Sequence, residues 1–277
     1  MSRYPFPLCI QLTPPTHFYE DSDFAATLSL LQELGFYGVE LNLVDFSDPG
    51  RLTEFLGRFG LRLTMVATGF YANQNGLSLS TTDEEVRRKT VEEMGKILKF
   101  AAGCGAGIIC GFIKGGPGQD KAKASEQMAK SLTEVAALND ETKVPIYLEA
   151  TNHYEATLVN TMAEGASFAR GVQNKIFILP DTYHMNIEEE NTAYALTRHQ
   201  SLYHNLHVSD NNRYFPGFGA IDFFSVCALL KGMSYQGTIS IEGRTKHSLR
   251  EDIAASAAYL QEVNSRILRL QGDDTAG

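Results

Sequence analysis

The chain has few cysteines and no long apolar run, and these shortages exclude several classes of protein. Only four of its 277 residues are cysteine, and none forms a C-x-x-C pair. That content excludes a disulfide scaffold and indicates buried thiols in a reducing compartment. No run reaches the roughly 18 apolar residues of a membrane helix, and residues 1–7 lack the pattern of a signal peptide. We therefore expect a cytoplasmic protein without a membrane partner.

Basic residues are also scarce. Lys and Arg number 24 against 33 Asp and Glu, which gives a net charge of −9 and an isoelectric point near 5.3. Bulk positive charge is therefore not available to hold a phosphate backbone, so we expect no nucleic-acid partner. The chain also lacks a G-x-G-x-x-G motif after its first apolar run, and it lacks the clear serine elbow or Cys–His pair of a nucleophilic hydrolase.

Short apolar runs alternate with longer segments of helical period along the whole chain. The runs are continuously apolar, which is typical of strands covered on both faces. The predicted strands are residues 8–12, 38–43, 61–68, 107–113, 144–149, 176–181, 204–209 and 237–242. The predicted helices lie near residues 23–34, 49–59, 83–103, 121–138, 154–170, 191–201, 222–231 and 248–270.

This alternation predicts the fold class. Eight strand-and-helix units follow one another without a linker or a low-complexity break. Parallel strands joined by right-handed helical crossovers, in this number, close most economically into a (β/α)₈ TIM barrel of the α/β class. We predict a single barrel domain over residues 1–270 and a disordered tail over residues 271–277. A doubly wound open sheet is the alternative.

Four consecutive predicted strands end in a side chain that can bind a metal ion. Glu149 ends the fifth strand, Asp181 the sixth and Glu242 the eighth, while His207 lies in the seventh. Active sites of TIM barrels lie at the carboxyl ends of the strands, so these side chains should converge. Three carboxylates and one imidazole suit one divalent ion, Mn²⁺ or Mg²⁺, and tolerate Co²⁺ or Zn²⁺. The alternative is that each is a strand-end cap or a salt-bridged core group.

Three other polar residues near strand ends are weaker candidates. His17 follows the first strand and Glu40 ends the second, so each could line the mouth of the barrel or have a structural role. Lys114 follows the fourth strand, where it could meet a phosphate group or be a solvated lysine at a loop edge. We expect a structural role for His17 and Glu40 and a solvated position for Lys114.

Two strings of polar residues carry a family resemblance. Asp-x-x-His-Met-Asn begins at Asp181, and His-x-x-Asp-x-Asn-Arg begins at His207. Together with Glu149 and the Glu-Gly-Arg at residues 242–244, they resemble the sugar isomerases and epimerases of the xylose isomerase-like barrels. The resemblance is greatest to the ketose 3-epimerases that act on tagatose, psicose or ribulose-type sugars. It covers strands five to eight well, and it extends more loosely to residues 69–80 and to the Ile-Lys-Gly turn after strand four.

The resemblance implies a role for each matching residue. By this resemblance the metal ligands are Glu149, Asp181, His207 and Glu242. The substrate-binding residues are His184, Arg213 and Glu155. Glu149 and Glu242 are also the two catalytic acid/base groups. In one departure, residues 152–153 are Asn-His where the family often has Asn-Arg, which bears on the identity of the sugar.

The implied reaction is the epimerisation of a ketose at the carbon next to its carbonyl, with the closely related interconversion of an aldose and a ketose as the alternative. One carboxylate removes the proton, a divalent metal ion, with Mn²⁺ favoured, stabilises the enediolate, and the other carboxylate returns a proton to the opposite face. The resemblance implies an isomerase whose partner is a small-molecule sugar or sugar phosphate. We expect a homo-oligomer, either a dimer or a tetramer.

Three other functions use a related barrel. A dehydratase of the inosose or dehydroshikimate type removes the same proton but then expels water. A DNA-repair nuclease of the endonuclease IV type requires three zinc ions and a basic face, which seven histidines and a charge of −9 do not favour. A barrel that only binds sugar would not need both Glu149 and Glu242.

Overall fold

Eight parallel strands lie where the apolar runs predict them. The computed structural model describes residues 3–173 and 175–273. Its strands are β1 (Leu8–Leu12), β2 (Gly38–Asn42), β3 (Arg62–Ala67), β4 (Gly107–Cys110), β5 (Ile146–Glu149), β6 (Phe177–Leu179), β7 (Asn205–Val208) and β8 (Thr238–Ile241). They pair in the order β6-β5-β4-β3-β2-β1-β8-β7. The predicted (β/α)₈ barrel is confirmed, because a doubly wound sheet would reverse its strand order.

The barrel closes between β6 and β7. Asp181 and His207 form an isolated parallel bridge, and the backbone N–H of His207 donates to the carbonyl of Pro180 at 2.9 Å. β6 has only three residues, so this closing contact lies just past its end. We call the β6–β7 contact the seam. Two residues that the sequence predicts for the metal site therefore form the seam of the barrel.

Ten α-helices occur in the described part of the chain. They are α1 (Ser22–Leu34), α2 (Pro49–Gly57), α3 (Gly69–Asn75), α4 (Glu84–Cys104), α5 (Lys121–Thr142), α6 (Met162–Gly171), α7 (Thr182–Glu188), α8 (Thr192–Arg198), α9 (Phe223–Gly232) and α10 (Leu249–Asp273). The periodic pattern does not predict the short helices α3 and α7. α10 continues into the predicted tail, whose residues 274–277 lie outside the described residues. No described helix is long and apolar enough to cross a membrane.

One predicted helix begins later than the pattern indicates. The period predicts a helix over residues 154–170, whereas α6 begins at Met162. The preceding segment is a loop because the side chain of Asn160 donates to the carbonyls of Thr151 and Ala156, each at 2.9 Å. Val159 also has a positive φ of 59°, which a right-handed helix does not contain. This loop follows β5 and therefore lies at the mouth of the barrel.

Capping residues and apolar periodicity determine where the helices form, as α4 illustrates. The side chain of Asp83 accepts hydrogen bonds from backbone N–H groups of the first turn, and Gly105 follows the last residue with a φ of 65°. The apolar face of α4 includes the buried residues Met94, Ile97, Leu98 and Ala101. Because fully burying a large apolar side chain contributes about 1.5–3 kcal/mol, this face holds α4 against the barrel.

The barrel has an outer core and an inner core. The outer core packs the strands against the surrounding helices. The inner core fills the barrel on the side of β3 to β6 and consists of Met65, Ala67, Ile109, Tyr147 and Leu179. Buried polar side chains occupy other parts of the interior, including Glu40, Asn205 and His207. The interior is therefore apolar on one side and polar on the side that leads up to the predicted site.

Candidate active site and metal centre

Four side chains from β5 to β8 converge at the carboxyl ends of the strands. Glu149 is the last residue of β5 and His207 lies in β7, while Asp181 and Glu242 come just after β6 and β8. One ligand atom from each residue lies within 4.8 Å of those from the other three. The structure thus brings together all four residues that the sequence predicts as metal ligands.

Local structure fixes the orientation of Asp181. This residue is the N-cap of α7, and its Oδ1 accepts hydrogen bonds from the backbone N–H groups of Tyr183 at 2.8 Å and His184 at 3.2 Å. Its Oδ2 faces the cluster and accepts a hydrogen bond from Arg213 at 2.7 Å. The unpredicted helix α7 therefore orients one predicted ligand and also places His184 beside it.

His207 is completely buried. One of its ring nitrogens faces the barrel interior, and the other faces the three carboxylates. Nε2 lies 2.8 Å from a carboxylate oxygen of Glu40 in the barrel interior. Nδ1 has no hydrogen-bond partner and lies 3.3 Å from Glu242, 3.6 Å from Glu149 and 3.9 Å from Asp181. Burial opposes a charge on the ring, but the surrounding carboxylates outweigh it and raise the pKa of His207 well above its usual value.

The geometry of the four groups fits a divalent metal ion. Atoms that bind one ion at about 2.1 Å lie roughly 3–4 Å from one another, so ligands within 4.8 Å need only a small contraction. The Nδ1 atom of His207 points into the cluster without a hydrogen-bond partner. Three neighbouring carboxylates repel one another, and a cation relieves that repulsion. The donor set, three carboxylates and one imidazole, is of the kind that Mn²⁺ and Mg²⁺ accept.

Arg213 bridges two of the carboxylates. Its Nη1 donates to Asp181 at 2.7 Å and its Nη2 donates to Glu242 at 2.6 Å. Burial opposes the guanidinium charge, but these carboxylates outweigh it and raise the pKa of Arg213. Burial likewise opposes the Glu242 charge, yet Arg213 and His207 hold the pKa of Glu242 well below its usual value. One guanidinium does not balance three carboxylates, so the cluster still favours a cation.

The loop after β7 positions Arg213. Asp210 is buried at the start of this loop. Its two carboxylate oxygens accept hydrogen bonds, at 2.8–3.2 Å, from the backbone N–H groups of Asn211, Gly217, Gly219 and Ile221. Arg213 has a φ of 67°, a left-handed conformation that costs a residue with a side chain about 1 kcal/mol. The loop around Asp210 therefore holds Arg213 in a backbone conformation that it would otherwise rarely adopt.

His184 and Glu155 share a partner, Asn152. Nδ1 of His184 lies 3.1 Å from the backbone nitrogen of Asn152 and 2.8 Å from its side-chain Nδ2. Both are donors, so Nδ1 accepts and Nε2 carries the ring proton. Nδ2 of Asn152 also donates to Glu155 at 3.1 Å. Asn152 therefore orients two predicted substrate-binding residues, a role that the sequence does not reveal.

His153, the departure from the family pattern, contacts α7. Its backbone N–H donates to Oε1 of Glu188 at 2.7 Å, and its ring Nδ1 lies 2.5 Å from the same oxygen. The side chain of His153 is half exposed and does not line the cavity described below. This histidine therefore ties the loop after β5 to α7.

Lys114 is buried, so the prediction of a solvated lysine is wrong. Its Nζ donates to the carbonyl of Glu149 at 2.8 Å and to the hydroxyl of Thr151 at 2.5 Å. Burial lowers the pKa of Lys114 to about 8. The physical reason is the 3₁₀ turn Phe112–Lys114 after β4, which brings the lysine against the end of β5. Lys114 supports the backbone of Glu149 and lines neither cavity at the mouth of the barrel.

The two other weaker candidates do not line the mouth of the barrel. Glu40 is completely buried in the interior, where it contacts His207 and Asn205. His17 is exposed and lines neither of the cavities at the mouth.

A cavity of about 530 Å³ opens above the four converging groups. Its walls include both predicted acid/base residues, Glu149 and Glu242. They also include all three predicted substrate-binding residues, which are His184, Arg213 and Glu155. A pocket of this size accommodates a small organic ligand.

A second cavity of about 550 Å³ adjoins the first. Both cavities are lined by Gln11, Asn42 and Phe112, none of which is among the predicted site residues. Asn42 ends β2 and Gln11 lies one residue before the end of β1, so the rule that located the other site residues would also find them. Phe112 is 54% exposed and gives no comparable signal, because a lone aromatic residue in a loop is not distinctive.

The fold and the site together define a class of protein. It is a TIM barrel with a carboxylate–histidine group that could hold a metal ion at the carboxyl ends of its strands. Residues 28–263 match the family described as Xylose isomerase-like TIM barrel. The chain belongs to this family, as its polar strings predict.

Curated relatives of the chain are named epimerases. It is 27% identical over 249 residues to an L-ribulose 3-epimerase of Mesorhizobium japonicum, which covers 87% of this chain and 82% of the relative. It is 37% identical over 130 residues to the 3-dehydro-D-guloside 4-epimerase of Escherichia coli, which covers 46% of this chain and 47% of that protein. The predicted enzyme class, an isomerase of the epimerase type, is confirmed by these relatives.

Solved structures show the same fold. The apo form of 3-keto-D-glucoside 4-epimerase YcjR from E. coli has a TM-score of 0.78 at 24% identity and covers 94% of this chain and 99% of its own. D-Psicose 3-epimerase with D-tagatose from Clostridium cellulolyticum H10 has a TM-score of 0.74 at 24% identity and covers 96% of this chain and 98% of its own. At these identities the likeness concerns the fold alone.

Proposed function

We propose that this protein is a metal-dependent sugar epimerase and, more specifically, a ketose 3-epimerase. The observation that carries the proposal is the placement of Glu149 and Glu242, whose carboxylates line one cavity beside His207 and lie within 4.8 Å of each other. They come from β5 and β8, which are not adjacent in the barrel. Inverting a carbon through a planar intermediate needs a proton-transfer group on each face, and these two carboxylates supply both.

In this proposal the two glutamates move the proton. One removes it from the carbon next to the ketone, and the other returns a proton to the opposite face of the same carbon. Arg213 and His207 hold the pKa of Glu242 low, so Glu242 is ionised at neutral pH and able to accept a proton. A divalent ion bound to the four converging groups, with Mn²⁺ favoured, would neutralise the charge that develops on the two substrate oxygens.

The other polar residues of the cavity orient the sugar. His184 offers the proton on its Nε2 to a substrate oxygen, because Asn152 occupies its Nδ1. Arg213 offers guanidinium donors beside Glu242. Glu155 provides carboxylate oxygens that accept hydrogen bonds from hydroxyl groups. Fixing the sugar in this way contributes to the rate because the reacting groups then meet in one geometry.

A second candidate substrate is a keto-glycoside, epimerised at the carbon next to its ketone. The second cavity favours it, because about 550 Å³ adjoins the reaction cavity and gives room for a glycosidic substituent that a free ketose lacks. The E. coli relative, named a 3-dehydro-D-guloside 4-epimerase, supports the same candidate. The proton chemistry would be unchanged. A dehydratase or a nuclease finds no such support among these relatives.

We also propose that the enzyme acts in the cytoplasm on an unphosphorylated sugar. All four cysteines are free thiols, which suits a reducing compartment. The burial of Lys114 removes the basic residue that the sequence offered for a phosphate group. The net charge of −9 supports the absence of a nucleic-acid partner.

A substrate panel tests the proposed reaction. Protein loaded with Mn²⁺ is incubated in D₂O with D-tagatose, D-psicose, L-ribulose, a ketose phosphate and a 3-keto-glycoside, and the products are analysed by chromatography and NMR. We expect an epimer that carries deuterium on the inverted carbon. Conversion without deuterium would indicate a hydride shift, and a new conjugated absorbance would indicate a dehydratase.

Substitution of the two glutamates tests the mechanism. Glu149→Gln and Glu242→Gln should each lower kcat by roughly 10²–10⁴-fold, because each removes one proton-transfer group. Glu54→Gln is the control, since Glu54 is an exposed surface residue that pairs with Arg58. Circular dichroism should show all three variants folded. Near-normal turnover by both site variants would contradict the two-base mechanism.

A further inference from the structure

We propose that Glu40 is a positioning residue that holds the His207 ring so that Nδ1 faces the metal centre. The inference rests on the proposed function, since it assumes that His207 binds a metal ion there. Glu40 lies in β2 and His207 in β7, so the contact crosses the inside of the barrel. Glu40 therefore acts from the interior, on the face of the ring that is turned away from the substrate cavity.

The contacts of Glu40 define its position. Its Oε2 lies 2.8 Å from Nε2 of His207, and its Oε1 accepts a hydrogen bond from Nδ2 of Asn205 at 2.6 Å. Asn205 is held in turn, because its Oδ1 accepts a hydrogen bond from the hydroxyl of Thr238 at 2.8 Å. Both carboxylate oxygens are thus engaged, and the orientation of the amide is fixed by a third residue.

This geometry selects one form of the imidazole. A carboxylate accepts hydrogen bonds, so Nε2 of His207 carries a proton that points at Glu40. In the neutral ring the lone pair is then on Nδ1, which faces the three carboxylates of the cluster without a hydrogen-bond partner. A histidine that binds a metal commonly donates its other N–H to a carboxylate in this way. Glu40 would therefore fix both the tautomer and the direction of the ring.

The complete burial of Glu40 indicates that this residue has a role beyond packing. The residue is 0% exposed, and no lysine or arginine in the described part of the chain pairs with it. A buried carboxylate without a cationic partner is costly, and an apolar residue of similar size would serve packing better. The ionic partner that the structure gives Glu40 is His207, a predicted metal ligand. That pairing is what a positioning role requires.

Metal affinity tests the proposal without using activity. We would measure Mn²⁺ dissociation constants by isothermal titration calorimetry for the wild type, Glu40→Gln and Tyr147→Phe. The Glu40→Gln substitution should weaken Mn²⁺ binding by roughly 10–100-fold, as is typical when the carboxylate behind a histidine ligand is lost. Tyr147→Phe is the matched control, because it removes a buried oxygen from the inner core and should leave the affinity unchanged.

Stability and NMR separate positioning from a structural role. In chelator, Glu40→Gln should unfold at a denaturant concentration near that of the wild type, whereas a purely structural residue would lower stability and leave the affinity unchanged. In wild-type protein loaded with diamagnetic Zn²⁺, ¹H–¹⁵N NMR of the histidines should show the Nε2 proton of His207 shifted downfield by its hydrogen bond to Glu40. This measurement decides the question even if the variant does not fold.

The outcomes also separate this proposal from the proposed function. An Nε2 proton without that downfield shift, or equal Mn²⁺ affinity of the wild type and Glu40→Gln, would overturn the role of Glu40 and leave the metal centre standing. A wild type that binds neither Mn²⁺ nor Zn²⁺ would overturn the metal centre and the role of Glu40 together.

Discussion

Asn152 shows how much of the site depends on a residue that does not itself carry out the chemistry. It donates to Nδ1 of His184 from both its backbone and its side chain, and its side chain also donates to Glu155. Two groups proposed to hold the sugar are therefore oriented by one amide. At the scale of single residues, the cavity is pre-organised by hydrogen bonds among its own walls.

The Asn152→Ala variant tests this arrangement. Its backbone N–H still donates to His184, so the ring keeps its tautomer, but the side-chain anchor of His184 and Glu155 is lost. We expect kcat/KM to fall about tenfold, which corresponds to about 1.4 kcal/mol or one net hydrogen bond. Steady-state kinetics on the best substrate of the panel measures the effect.

A matched control exists at the other end of the barrel. Asn139 is a buried asparagine that donates to the carbonyl of Val144 at 2.7 Å, far from the cavity. Asn139→Ala should lower stability and leave kcat/KM unchanged. If both asparagine variants lost activity equally, general loosening of the fold would explain the result better than the orientation of His184.

At the scale of elements, loops position the site residues that do not lie on strands. The loop over residues 211–221 carries Arg213 and is organised by the carboxylate of Asp210. Gly219 sits so close to this carboxylate that an added Cβ would lie 2.5 Å from Oδ1 of Asp210. The loop therefore has little freedom to rearrange while that carboxylate stays in place.

The Asp210→Asn variant should disturb this loop. The NH₂ group of asparagine cannot accept a hydrogen bond. The backbone N–H groups that donate to one of the two Asp210 oxygens therefore lose their acceptor in the variant. We expect a loss of about 1–3 kcal/mol in the free energy of unfolding, together with weaker substrate binding through Arg213. Urea denaturation and KM measure the two effects. Asp222→Asn, which alters the N-cap of α9, is the control that should reduce stability without changing KM.

The loop after β8 gives a pH-dependent prediction. Asp252 is buried in the first turns of α10, and its carboxylate accepts hydrogen bonds from the backbone N–H groups of Lys246 and His247. Burial acts to raise the pKa of Asp252, but these bonds and the His247 ring outweigh it and lower the pKa. A lowered pKa in the folded state means that the stabilisation is complete well above the ordinary aspartate value, about 3.9, and is lost as the pH falls through the folded value.

The Asp252→Asn variant isolates this contribution. We expect the wild type to exceed the variant in free energy of unfolding by about 1–2 kcal/mol at pH 7, and the difference to shrink as the pH is lowered through 3.9 and below. Urea denaturation of both proteins at several pH values measures it. A difference that stayed constant down to pH 2 would show that the ionised carboxylate is not the source.

At the scale of the whole molecule, the site and the closure of the barrel depend on the same residues. Asp181 and His207 form the seam, and both are predicted ligands of one ion. An ion bound between them would join β6 and β7 directly. Metal binding is therefore expected to stabilise the entire barrel, not only the groups that touch the ion.

Thermal unfolding measures this coupling. With Mn²⁺ at 100 times its dissociation constant, the folded state gains about 2.7 kcal/mol, which raises the Tm by roughly 5 °C over the value in chelator. Asp181→Asn should abolish most of the increase. Equal Tm values in chelator and in Mn²⁺ would mean that the four groups do not bind the ion.

The fold was predictable because its signals are local in sequence. Apolar runs and helical periods give the strands and most helices directly, and the strand-end rule gives the four converging groups. The remaining features depend on contacts between distant residues. Glu40 and His207 are 167 residues apart in sequence, and Lys114 and Glu149 are 35 apart, so no local pattern reveals these two contacts. The helical period mispredicts the start of α6 because the Asn160 side chain competes with helical hydrogen bonds.

The residues of the seam also determine when, along the chain, the four proposed metal ligands are all present. A ribosome-bound or truncated chain that ends before β7 has Glu149 and Asp181 but neither His207 nor Glu242. Two carboxylates alone make a weak, unselective cation site, so such a fragment would not sequester a transition metal during synthesis. The ion proposed for this site would therefore be bound by all four groups only once β7 and β8 have joined the barrel, and it would then hold β6 and β7 together.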